Sequence, residues 1–105
     1  VYSKAVEANG FVFTAGIVPS KLDADARAQA TEVLSEIDRL LALAGTSKSK
    51  VVFANLWLAD VRHREAVNEA WSVWMGGKDA PARATVEAKL VDPRMLVEIG
   101  VIAVK

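Results

Sequence analysis

Two short stretches rich in apolar residues, 2–8 and 11–17, lie on either side of Asn9-Gly10 and have the form of strands. An Asn-Gly pair accepts the positive φ angles of a two-residue hairpin turn, so the two stretches are expected as antiparallel strands, residues 2–8 and 11–17. After Pro19 the period becomes helical. Ala26, Ala30, Val33, Ile37, Leu40, Leu41 and Ala44 share one stripe of residues 23–44, with Asp23 placed to cap its start and Gly45 to end it. Residues 51–58 revert to a strand, with Val52, Ala54, Leu56 and Leu58 on one side and Val51, Phe53, Asn55 and Trp57 on the other. A second helical stripe of Val67, Trp71 and Trp74 runs through residues 61–75, between a capping Asp60 and Gly76-Gly77. A strand from Ala82, an Asp92-Pro93 turn and a strand over residues 96–104 complete the chain.

The order is β-β-α-β-α-β-β, an α+β arrangement expected to form one domain over residues 1–105, with two helices on one face of a mixed sheet. A sheet covered by helices on one side can leave its other side wet. The third strand is apolar on both sides, so a second surface is expected to cover the back, and a subunit contact supplies one.

The two strands after the second helix carry the chemistry. In "PARATVEAKL", residues 81–90, Ala82, Ala84, Val86, Ala88 and Leu90 alternate with Arg83, Thr85, Glu87 and Lys89. In the last strand Val97, Ile99, Val101 and Ala103 form an apolar face, and Glu98 is the only charge between Leu96 and Val104. With the alanines turned toward the helices, Arg83, Thr85 and Glu98 are expected to project together from the opposite face. Burying a charge is costly unless it is paired. Two readings stand: an intersubunit salt bridge, or a site where the guanidinium grips a ligand carboxylate bidentately and Glu98 positions water.

Composition narrows the chemistry. Apolar residues make up 52% of the chain, an excess that favours burial between subunits. Thirteen basic and thirteen acidic residues give no net field to attract nucleic acid or an anionic membrane. There is no cysteine, hence no disulfide, thiolate nucleophile or cysteine zinc site, and the single histidine, His63, leaves a metal site short of nitrogen ligands. His63 lies in the charged run Arg62-His63-Arg64-Glu65, which reads as a solvated first turn. No apolar run approaches the ~20 residues that span a bilayer. The expectation is a soluble, cytoplasmic chain without metal, cofactor, nucleic-acid partner or membrane partner. Trp71 and Trp74, at i, i+3, read as core, and no P-loop, dinucleotide fingerprint or G-x-S-x-G elbow is present.

The segments "FVFTAGIVP", "KSKVVFANLWLAD", "VNEAW", "PARATV" and "VEIGVIAV" together resemble the RidA/YjgF family of imine and enamine deaminases over essentially the whole length. "LDADARAQA" and "NEAWSVWM" are most similar to its YoaB-like branch. The resemblance implies a chorismate-mutase-like fold assembled as a homotrimer, with three sites at the subunit interfaces. It implies hydrolysis of 2-imino acids of the 2-aminoacrylate type to 2-keto acids and ammonia, without a cofactor. By the same resemblance Arg83 binds the substrate carboxylate and Glu98 is associated with the attacking water. Gly16 and Ile17 line the site with their backbone, Asn68 supports it, and Tyr2 comes near it. Thr85 stands where many members carry cysteine, which disfavours thiol catalysis and leaves hydrolysis open. A trimer that only binds small carboxylates, such as keto acids, is the alternative from the same residues. RNA cleavage, an activity attached to some relatives, is disfavoured by the balanced charge and the lone histidine.

Overall fold

A computed structural model of the protein describes residues 1–77 and 79–105. Five strands and two α-helices follow the expected order: β1 (Ala5–Ala8), β2 (Phe11–Thr14), α1 (Ala26–Leu43), β3 (Val51–Leu58), α2 (Arg64–Met75), β4 (Ala82–Glu87) and β5 (Val97–Val104). They form one sheet in the order β1-β2-β5-β3-β4. β3 and β4 pair in parallel across the α2 crossover, and the other neighbours are antiparallel. Asn9 and Gly10 adopt φ 52° and 78°, the hairpin turn their sequence predicts.

The ends of the elements differ from the sequence expectation for local reasons. Asp25, not Asp23, caps α1: its Oδ1 accepts from the Ala28 amide at 2.9 Å, because Ala24 still belongs to a turn closed by its amide on the Lys21 carbonyl. Asp60 caps a single 3-10 turn, Val61–His63, that leads into α2, and Gly76 ends α2 in the left-handed conformation at φ 62°. A bulge between Val51 and Phe53 reverses the start of β3, so Val51 is buried on the helix side and Val52 is exposed.

The core lies between the helices and one face of the sheet. α1 contributes Ala30, Val33, Leu34, Ile37 and Leu41, α2 contributes Val67, Ala70, Trp71 and Trp74, and the sheet contributes Val12, Ala54, Leu56, Leu58, Val97, Ile99 and Val101. Each fully buried Leu or Ile in this set stabilises the fold by about 1.5–3 kcal/mol. On the other face, Val6, Phe13, Ile102 and Phe53 form a row across four strands, with Val6 and Phe13 52% and 40% exposed.

Among the described residues one polar side chain is buried completely. Gln29 sits on the apolar stripe of α1, donates from Nε2 to the carbonyls of Ala24 and Arg94 at 3.1 and 3.0 Å, and accepts from the Leu96 amide at 2.8 Å. It therefore ties the α1 entry to the segment that leads into β5. Gln29→Leu removes those partners while conserving bulk, and is expected to lower stability by about 2–4 kcal/mol, since the amide and carbonyls stay buried. An unchanged urea midpoint at fixed protein concentration would contradict this.

Candidate functional site

The carboxylate half is built by an irregularity. Phe13 pairs with Ile102 and Ile17 with Ile99, so four residue steps on one strand (13 to 17) face three on the other (102 to 99). Thr14 mends the break: its Oγ1 accepts from the Val101 amide at 3.0 Å and its hydroxyl donates to the Ala15 carbonyl at 2.9 Å. Pairing resumes as Ile17 and Ile99 exchange amide–carbonyl bonds at 2.8 and 3.1 Å. Within this bulge the Gly16 backbone lies against Glu98, where an added Cβ would sit 2.0 Å from Oε2. Among the described residues the Glu98 side chain makes no hydrogen bond or ion pair, and burial pushes its carboxyl above the usual carboxylate range. Gly16 and Ile17 also line, with Tyr2, a groove of about 910 Å³ running beside α1.

The approach of Gly16 to Glu98 yields a sharp expectation. Gly16→Ala must move the carboxylate, which sits at the end of a flexible side chain, so the fold absorbs the methyl cheaply while the carboxylate leaves its place. Thermal stability should stay near that of the parent in a melting experiment, with the Glu98 carboxylate displaced from the bulge. A melting temperature far below the parent's would show that the carboxylate cannot move aside.

The guanidinium half overturns one sequence expectation. In the parallel β3–β4 register Arg83 lies beside Ala54 and Thr85 beside Leu56. Lateral neighbours in a sheet project to the same side, so Arg83 and Thr85 point toward the helices, and Ala82, Ala84 and Val86 occupy the open face. Arg83 and Glu98 therefore do not share a face. Asn68 Oδ1 on α2 accepts from Arg83 Nη2, and the guanidinium carbon lies 5.1 Å from the centre of the Trp71 ring. Burial, and then the like charge of Arg64, pull the Arg83 guanidinium below its usual value. Arg83 and Thr85, with Leu58, Val61, Arg64 and Glu87, line a cavity of about 390 Å³.

Within one chain the two halves are far apart. β4 and β5 flank β3, which separates them by about 10 Å at ordinary strand spacing, and their partners Ala54 and Trp57 are offset by a further ~10 Å along β3. The structure thus joins Arg83, Asn68 and Thr85 in one cluster and sets Gly16 against Glu98 in another, while Tyr2 shares with Gly16 and Ile17 a groove that Glu98 does not line. It excludes an Arg83–Glu98 salt bridge inside the protomer. Among the described residues no group of three or more His, Cys, Asp or Glu side chains could hold a metal ion. No helix of the described chain is long and apolar enough to cross a membrane.

The family model for endoribonuclease L-PSP matches residues 1–105. A RutC family protein of Haemophilus influenzae is 44% identical over 96 residues, covering 90% of this chain and 83% of its own. The RutC family protein YoaB of Escherichia coli K12 is 39% identical over 102 residues, with 97% and 89% covered. The chain belongs to the RidA/YjgF family. The crystal structure of NMB1025, a YjgF protein of Neisseria meningitidis, superposes with a TM-score of 0.95 at 42% identity, covering 99% of this chain and 87% of that one. This RidA/YjgF chain thus carries the family's mixed five-stranded sheet and two helices, with its arginine and glutamate on opposite faces.

Proposed function

We propose that the protein is a homotrimeric hydrolase that deaminates reactive 2-imino acids at sites between subunits. The observation that carries this reading is the Arg83 guanidinium, held by Asn68 and Trp71 and, among the described residues, in no ion pair; Glu87, on the same cavity wall, accepts at Oε1 from the Val61 amide at 2.8 Å. A guanidinium held that way offers its remaining donors to a ligand carboxylate. The carboxylate half at Glu98 lies on the open apolar face, which favours burial against other copies. Assembly through that face brings the Glu98 half of one protomer to the Arg83 half of its neighbour.

In the proposed reaction Arg83 anchors the substrate carboxylate and Glu98 orients a water toward the imine carbon. Its burial-raised carboxyl takes a proton from that water as the C–O bond forms. It returns that proton to the nitrogen to give a carbinolamine, and the carbinolamine hydroxyl then gives its proton to the nitrogen through the same carboxylate as the C–N bond breaks, releasing ammonia and leaving a 2-keto acid. Thr85, beside Arg83, holds no thiol chemistry and serves as a polar wall. The backbone of Gly16 and Ile17 fixes the carboxylate, and Tyr2 borders the entrance. Orientation with one acid–base group supplies roughly 10²-fold or more, enough for a substrate that water already attacks.

The direct test generates 2-aminoacrylate with a dehydratase and follows pyruvate. Faster pyruvate appearance with the protein than without it supports the deaminase reading. Binding of 2-keto acids without acceleration, across a panel of imines, would favour the carboxylate-binding trimer instead.

A further inference from the structure

The cavity beside Arg83 holds a second guanidinium, that of Arg64. Arg64 is the first residue of α2, where the helix dipole disfavours a cation. Among the described residues it makes no ion pair, whereas its neighbour Arg62 is held by Asp60 at 2.7 Å. Its charge also acts unfavourably on Arg83. Among the described residues Glu87 is the one carboxylate in the cavity wall, so two cations face a single anion, one of whose oxygens already accepts from the Val61 amide.

Resting on the deaminase reading, we infer that Arg64 is a specificity residue that binds a second carboxylate, which makes 2-imino dicarboxylic acids the preferred substrates. Arg83 takes the carboxylate beside the imine, as for any 2-imino acid. Arg64, lining the same cavity, takes the carboxylate at the far end of the substrate. The ordinary amino acids with anionic side chains carry exactly one such group, so their imines fit this charge pattern. An anion there relieves both the repulsion between the guanidinia and the mismatch of Arg64 with the helix start. A three-carbon imino acid leaves Arg64 unpaired. The far carboxylate does not react, so its grip acts equally on bound substrate and transition state and shows chiefly in KM.

The test compares two imines made in place by amino-acid oxidases, 2-iminoglutarate from glutamate and 2-iminobutanoate from 2-aminobutanoate, and reads the ratio of their kcat/KM values. The parent is expected to favour the dicarboxylate, and Arg64→Met to lower that ratio roughly 10–100-fold, mainly through KM, as loss of a charge-assisted contact requires. Arg64→Lys should restore part of it. Calorimetry with 2-oxoglutarate and 2-oxobutanoate runs alongside. Hydrolysis of both imines with a ratio that Arg64→Met leaves unchanged overturns the inference and spares the deaminase reading. No hydrolysis of either, with 2-oxoglutarate bound more tightly in an Arg64-dependent way, supports the dicarboxylate site and overturns the deaminase reading. Absence of both preferences overturns both.

Discussion

Arg83→Ala is expected to lower kcat/KM for a 2-imino acid by roughly 10²-fold or more while the protein keeps its secondary structure and oligomeric state. Each charge-assisted hydrogen bond lost from a gripped carboxylate is worth about 1.5–3 kcal/mol, and a bidentate grip loses two. The fold gives up little in exchange. The guanidinium is only partly buried and lies at the edge strand, and its removal leaves Asn68 free to turn toward water. Arg83→Lys keeps the charge but loses the planar fork and the stacking on Trp71, so it should recover only part of the activity. Steady-state kinetics with circular dichroism and light scattering on the same samples check this. Full turnover by an intact Arg83→Ala oligomer would sink the proposed role.

The opposite-face placement of Arg83 and Glu98 leads to an equally large effect in the other direction. Arg83→Ala and Glu98→Gln should each be inactive alone, yet regain activity when unfolded together and refolded as a mixture. In a mixed trimer some sites draw their arginine from a Glu98→Gln chain and their glutamate from an Arg83→Ala chain. With equal amounts and random assembly, about one quarter of the sites are then complete. Recovery near that fraction, against none when either variant is refolded alone, reports a site shared between copies. If the mixture stays as inactive as its parts, the two residues do not meet across an interface.

The turns, the helix stripes and the succession of elements along the chain were readable because their signals are local. Asn9-Gly10 prescribes positive φ angles, and the Val67, Trp71 and Trp74 stripe repeats at helical spacing. The facing of β4 was not readable in the same way. Its alternation sets alanines against Arg83 and Thr85, and the sequence favours turning the alanines inward. β4 is an edge strand whose facing is decided by its parallel register with β3, a long-range pairing that no local period encodes. The swap of Val51 and Val52 has the same origin, since a bulge shifts a strand's facing without changing its composition. Gln29 did leave a trace: a lone amide on the stripe that also holds Ala26, Ala30 and Val33, which announces a buried polar group in need of partners.

The grouping of the candidate site residues was half legible. Family resemblance singles out Arg83, Asn68, Thr85, Glu98, Gly16, Ile17 and Tyr2, but the structure divides them between the cavity at Arg83 and the bulge and groove at Gly16, which no single chain unites. Arg64 carries no mark of its own in the sequence, since it belongs to the charged run Arg62-His63-Arg64-Glu65, which reads as an ordinary solvated turn. Only the cavity it shares with Arg83 sets it apart.

The row of Val6, Phe13, Ile102 and Phe53 across the uncovered sheet has a consequence for how the protein works at low abundance. If copies must cover that row before an arginine meets a glutamate, a newly made chain is inert until it finds its neighbours. Activity per molecule then rises with concentration by mass action until assembly is complete. Dilution in a test tube would therefore mimic an inhibitor.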